Sequence, residues 1–122
     1  MTTTSIVTPT EVFKIIDSTD PRRFADLLTA DASLTFANNP PMVGTDAIVA
    51  GCGYFYGTIK ALHHAIRNEW HQGNDTIVEL SVTYDRLDGQ TVTIPVVSVW
   101  STTDSGLIDD YRVYFDLAPV YA

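Results

Sequence analysis

The chain is poor in cysteine, in basic residues and in long apolar runs. There is one cysteine, Cys52, among 122 residues, which excludes an intrachain disulfide. It lies in AGCGYFYG, an apolar stretch with no neighbouring cation, and so reads as a buried structural thiol rather than a nucleophile. Seven Lys and Arg stand against fifteen Asp and Glu, a net charge of −8. Such a balance argues against nucleic acid and against an anionic membrane as partners, and reads simply as solubility. No apolar run approaches the roughly 20 residues that a membrane helix needs. The opening MTTTSIVTPTEVF has neither a basic start nor a long apolar core, so no secretory leader is expected and the expected location is cytoplasmic. Repeats and low-complexity tracts are also missing.

What is present fits one globular domain over residues 1–122, with 45% hydrophobic and 18% charged residues. Thr8 or Thr10 can cap a first helix, with Pro9 and Glu11 in its opening turn and Val12, Phe13, Ile15 and Ile16 as its apolar stripe. A second helix restarts after Asp20 in STDPRRFADLLTAD, with Phe24, Leu27 and Leu28 turned inward. ASLTFANN alternates as a short strand, and PPMVG is a turn or edge piece. TDAIVAGCGYFYGTIKAL reads as a third helix capped at Thr45 and weakened by Gly51 and Gly53.

The remainder is β. HHAIRNEWHQ, TIVELSVTYDRL, TVTIPVVSVW and IDDYRVYFD alternate, and GND, DGQ and TDSG turn the chain between them. Three helices followed by long strands with short turns imply an α+β fold, with a curved antiparallel sheet packed against the N-terminal helices. In HHAIRNEWHQ, strict alternation puts His64, Ile66, Asn68 and Trp70 on one face. In the last strand the more apolar face carries Tyr111, Val113 and Phe115, which leaves Arg112 and Tyr114 on the other.

FANNPPMVGTDAI, VTYDRLDGQTVTIPV and GLIDDYRVYFDLAP, in this order, resemble the nuclear transport factor 2-like superfamily. Within it the chain is most similar to the SnoaL-like polyketide cyclases and the limonene-epoxide hydrolases. That resemblance implies a cone-shaped fold around a pocket. It also implies an Asp–Arg–Asp device for epoxide opening, and this sequence departs from it. Val113 stands where the central acid of the last strand belongs, Ser81 and Thr83 where an Arg-x-Asp pair belongs, and Phe36 and Asn38 where a Tyr-x-Asn pair belongs. Epoxide hydrolysis by the family route is therefore not expected. The polyketide cyclases also use an Asp near the last strand, which Val113 again replaces.

His64 is the remaining candidate for chemistry, as a base that takes a proton from a carbon next to a carbonyl. Asn38, Asn68, Ser81 and Thr83 are candidate hydrogen-bonding partners for the oxygen. Phe36, Tyr54, Ile66, Trp70, Ile94, Val96, Tyr111, Val113 and Phe115 are the expected pocket walls. The alternative is a structural histidine and a non-catalytic pocket for an apolar ligand. His63 and His64 point to opposite faces of a strand and cannot share one ion, so no metal and no cofactor is expected. Tyr84, Tyr114 and part of TVTIPVVSVW suggest a homodimer through the outer sheet face.

Overall fold

The computed structural model describes residues 7–122. The expectation about a leader concerns residues 1–6 in part, and these lie outside it. Helix α1 spans Pro9–Asp17, and the Thr8 hydroxyl accepts the Glu11 N–H at 3.3 Å as its cap. Val12 and Phe13 are buried on its inner stripe. Helix α2, Pro21–Ala25, is capped by Asp20, which accepts from the N–H groups of Arg22 and Arg23. It is shorter than its sequence pattern suggests, because Leu28 already opens strand β1, Leu28–Phe36. Strand β2 is the two-residue piece Met42–Val43. Helix α3, Thr45–Tyr56, starts from Gly44 at φ 91°, so Thr45 is its first residue and not its cap.

Strands β3 (Ala61–Gln72), β4 (Asp75–Asp85), β5 (Thr91–Thr102) and β6 (Ile108–Tyr114) follow, and a short α4 closes the chain at Ala118–Tyr121. With β1 and β2, these four strands form one curved, unclosed six-stranded sheet in the order β2-β1-β6-β5-β4-β3. The sheet is mixed rather than wholly antiparallel: β1 and β6 run parallel, with Phe36 beside Val113. A parallel pair needs a long crossover, and all of the chain between β1 and β6 supplies it. No helix among the described residues is long and apolar enough to cross a membrane.

The sheet's inner face takes every second residue: Val78, Leu80, Val82 and Tyr84 from β4, and Ile94, Val96, Ser98 and Trp100 from β5. Trp100 lies flat on Tyr111, ring centroids 5.3 Å apart and planes within 6°. The inward parity of β6 is as its alternation implies: Tyr111 and Val113 are buried, while Tyr114 is exposed. Strand β3 breaks its own alternation. Ile66 pairs with Leu80, but Asn68 pairs with Glu79, so a bulge at Arg67 shifts the register. A bulge adds one residue and reverses every later side chain.

Candidate functional site

Helices α1, α2 and α3 and all the long strands contribute side chains to one cavity of about 40 Å³. Its deep walls are buried strand residues such as Leu34, Val96, Tyr111 and Val113. Half-buried aromatic rings stand where it nears solvent. Phe36 lies 5.4 Å from Phe55 and 5.8 Å from Phe115, centroid to centroid. No lysine or arginine lines the cavity among the described residues.

His64 reaches this cavity from the part of β3 that precedes the bulge. Its side chain is 8% exposed, and its ring stacks on Phe13 at 4.9 Å and 19°. The carboxylate of Asp17, the last residue of α1, holds it twice. Asp17 Oδ1 accepts the His64 Nδ1–H at 2.6 Å, and Oδ2 accepts the His64 backbone N–H at 3.0 Å. A carboxylate on Nδ1 fixes the tautomer with the lone pair on Nε2. Nε2 has no hydrogen-bond partner among the described residues. Asp17 also lies 3.7 Å from the exposed ring of His63, in a surface recess on the far side of His64.

Asp17 is placed against its own helix. A carboxylate at a helix C-terminus meets the negative end of the dipole and is disfavoured there. The following Thr19 takes a positive φ of 56°, an uncommon conformation for a β-branched residue. The two bonds to His64 offset the cost at Asp17.

Three tyrosines complete the polar lining. Burial pushes the phenols of Tyr56, Tyr84 and Tyr111 well above their ordinary range, with the Asp17 carboxylate adding to the effect at Tyr56 and Tyr84. Ser98 beside Tyr111 opposes part of the shift there. All three therefore stay neutral O–H donors. The hydroxyls of Tyr56 and Tyr84 have no hydrogen-bond partner among the described residues. Burial also pushes the Cys52 thiol up to about 11, which keeps it protonated and unreactive.

The SnoaL-like domain matches residues 10–111 of the chain. The chain belongs to this family. Solved structures share its fold at low identity. A Catenulispora acidiphila protein with a ketosteroid isomerase-like fold, in complex with trimethylamine, is 19% identical with a TM-score of 0.80, over 93% of this chain and 91% of that one. A putative SnoaL-like polyketide cyclase from Jannaschia is 19% identical with a TM-score of 0.74, over 90% and 85%. The epoxide hydrolase/cyclase-like enzyme SalBIII is 18% identical with a TM-score of 0.77, over 88% and 87%. No curated protein matches the chain.

Within this SnoaL-like domain the residues singled out from sequence divide into two groups. His64, Phe36, Val96, Tyr111, Val113 and Phe115 line the cavity. The others lie elsewhere. Asn38 is exposed in the turn after β1, and Tyr54 is 80% exposed on the outer side of α3, where Phe55 and Tyr56 face inward instead. Asn68 and Trp70 follow the bulge, so they sit on the outer face against Glu79 and Ile77. Ser81 and Thr83 also occupy the outer face: Ser81 accepts from Arg67, and Thr83 shares a hydrogen bond with Thr93. Ile66 packs on the core but borders the surface recess, and Ile94 is buried in the core away from the cavity.

Tyr84, assigned from sequence to an outer dimer face, is 3% exposed and inside. The inward positions of β4 that precede it, Val78, Leu80 and Val82, carry no ionisable group, and Val113 points into the cavity. The carboxylate that partners the cavity comes from α1, and the sequence reading missed it. The available signal was spacing: Asp17 follows Phe13 by four residues and so continues the buried stripe of α1.

Proposed function

We propose that this SnoaL-like domain is a proton-transfer enzyme of the isomerase or cyclase type, acting on a neutral, largely apolar carbonyl compound. One observation carries the reading: the Asp17–His64 pair sits at the wall of a cavity that offers no cation but several neutral hydroxyl donors. His64 Nε2 takes a proton from the carbon next to the carbonyl. The Asp17 carboxylate stabilises the imidazolium that forms. The enolate oxygen accepts from the phenols of Tyr56 or Tyr84, which burial keeps protonated. Where the enolate is conjugated with a further double bond, His64 returns the proton to the far carbon of that system; otherwise the enolate carbon attacks a second carbonyl of the same molecule, closing a ring. In the second course the new alkoxide takes the proton back from His64. SalBIII, a structural neighbour, acts in pyran ring formation in the polyether salinomycin, which is in keeping with ring closure on this fold.

The test is hydrogen exchange in D₂O with a panel of small ketones, followed by proton NMR. Wild type should exceed the buffer rate, and His64→Ala should lose that excess, by on the order of 10²–10⁴-fold. A wild-type rate equal to buffer rejects the reading. Binding of the same ketones without exchange leaves a ligand-binding protein instead.

A homodimer through the outer sheet face accompanies this reading. That face keeps Trp70 and Tyr114 half-exposed, with Ile77, Val97 and Val99 between them. The charges of Asp110 and Arg112 lie side by side on it, Nε to Oδ2 3.1 Å, so a two-fold copy can meet both signs.

A further inference from the structure

The cavity beside His64 has room for about three waters. A ring-sized ketone does not fit it as it stands, so some wall has to move. The walls differ in how they are held. Leu34, Val96 and Val113 are buried on strands that hydrogen-bond on both sides. Phe36 sits at the end of β1, in register with Val113. Other walls come from Leu62, His64, Tyr84 and Phe115 and from the helices, of which α3 gives most, through Cys52, Phe55 and Tyr56, against Ile16 from α1 and Phe24 from α2.

Of the three helices that line the cavity, α3 buries the smallest share of its residues. Of its twelve residues only Ile48 and Cys52 are buried, and no side chain caps its N-terminus. Gly51 and Gly53 lie in its interior, where glycine has lower helix propensity than alanine. Elements with few buried contacts open first. Phe55 is the residue through which α3 plugs the cavity. Its ring meets Phe36 at 5.4 Å, Tyr56 at 6.0 Å and Tyr84 at 6.2 Å, while remaining half-buried itself.

We infer that α3 is the door of the cavity and that Phe55 sets the size of ligand it admits. An outward swing of the C-terminal half of α3 carries Phe55 off Phe36 and Tyr84. That opens a slot between helix and sheet without breaking the ladder of the sheet. The ligand class that follows is a flat, neutral ketone of one or two fused rings, held between the Phe36 and Phe115 side and the displaced ring. The inference rests on the cavity being the ligand site, and not on His64 being a base.

The experiment uses two neutral ketones, compact cyclohexanone and the naphthalene ketone prodan. Binding is followed by NMR shifts of cavity residues and by prodan fluorescence, for wild type, Phe55→Ala and Phe36→Ala. Phe55→Ala should bind prodan about tenfold more tightly than wild type, with Phe36→Ala within about threefold. Amides of α3 should exchange with D₂O faster than those of β4 and β5. Phe55→Leu, which keeps more of the core contact, should give a smaller gain in the same direction and serves if the alanine variant is poorly folded.

Equal gains in Phe55→Ala and Phe36→Ala, or α3 amides as protected as those of β5, overturn the door. Cyclohexanone binding with no prodan gain in any variant removes the door and leaves the proposed function standing. No binding of either ketone to any of the proteins removes the door together with the ligand site.

Discussion

The Asp17 carboxylate grips His64 at ring and backbone together, 2.6 Å to Nδ1 and 3.0 Å to the peptide N–H, across 47 residues of sequence. One of these donors is fixed and the other is not. The peptide N–H can only donate, whereas the ring can move its proton to Nε2.

Asp17→Asn exploits that difference. The amide offers one oxygen and one NH₂ group to two donors. The oxygen has to keep the peptide N–H, so the NH₂ faces the ring and drives His64 into the Nε2–H tautomer. Stability should fall little, by about 1 kcal/mol, while ketone exchange should drop by on the order of 10²–10⁴-fold. Nitrogen-15 shifts of the His64 ring check the tautomer directly. An Asn variant with Nε2 still unprotonated and exchange undiminished removes Asp17 from the mechanism. Asp17→Ala instead strands both donors and should cost about 1–3 kcal/mol of stability.

The buried acids give the domain an alkaline limit. The Cys52 thiol is pushed from 9.0 to about 11, and the phenols of Tyr56, Tyr84 and Tyr111 are also raised. A group whose folded value is raised holds its proton more tightly in the folded state. Its contribution is full below the unfolded value and is lost as pH climbs through the folded one. Stability should therefore be unaffected by these groups up to about pH 9. It should then fall between pH 9 and about 11 through Cys52, by at most about 2–3 kcal/mol, and further as the tyrosines follow. Denaturant titrations at pH 8, 10 and 11 measure this, and Cys52→Ala should flatten the first part of the slope. Stability that is constant to pH 11 contradicts it.

How much of this was legible depended on whether a strand kept its period. In β6, alternation runs unbroken from Tyr111 to Val113, and the inward face could be read directly. In β3 the same rule placed His64 correctly and failed after Arg67, because a bulge is one unpaired residue with no glycine or proline to announce it. In β4 the signal was present. Val78, Leu80 and Val82 are the apolar parity and Glu79, Ser81 and Thr83 the polar one. Matching Ser81 and Thr83 to a catalytic pair of a related family placed them inside, against the strand's own pattern. Asp17 was the hardest, since a helix residue meets a strand only through tertiary packing, and nothing in local spacing names His64 as its partner.

The outer face supports a prediction of assembly. Trp70, Ile77 and Val99 form one cross-strand row, and Glu79, Val97 and Tyr114 the next. Light scattering at micromolar concentration should give twice the chain mass. Tyr114→Lys, placed at an exposed ring and outside the cavity, should shift the equilibrium to monomer while leaving the cavity's ketone binding unchanged. A wild-type monomer at these concentrations excludes the dimer.

The two interior glycines of α3 should respond in opposite ways to alanine. At Gly53 an added methyl meets nothing nearer than Pro21 Cγ at 3.9 Å, so the substitution removes backbone freedom from the unfolded chain at no steric cost. Gly53→Ala should raise stability by about 0.5–1 kcal/mol. At Gly51 the methyl lands on the Met42 thioether, where β2 packs against the helix. Methionine is flexible and can give way, but only by leaving its place between β2 and α3. Overpacking of this kind costs about 1–3 kcal/mol, which outweighs the gain in helix propensity, so Gly51→Ala should be net destabilising. Pairing it with Met42→Ala, which clears the space, should make the second substitution less harmful than in wild type. Thermal melts of the two single variants and the double variant decide this. A Gly51→Ala protein that melts as high as Gly53→Ala shows that β2 does not press on the helix. If α3 is also the door of the cavity, Gly53→Ala should slow prodan binding as it stiffens the helix, with melting temperature and association rate moving in opposite directions.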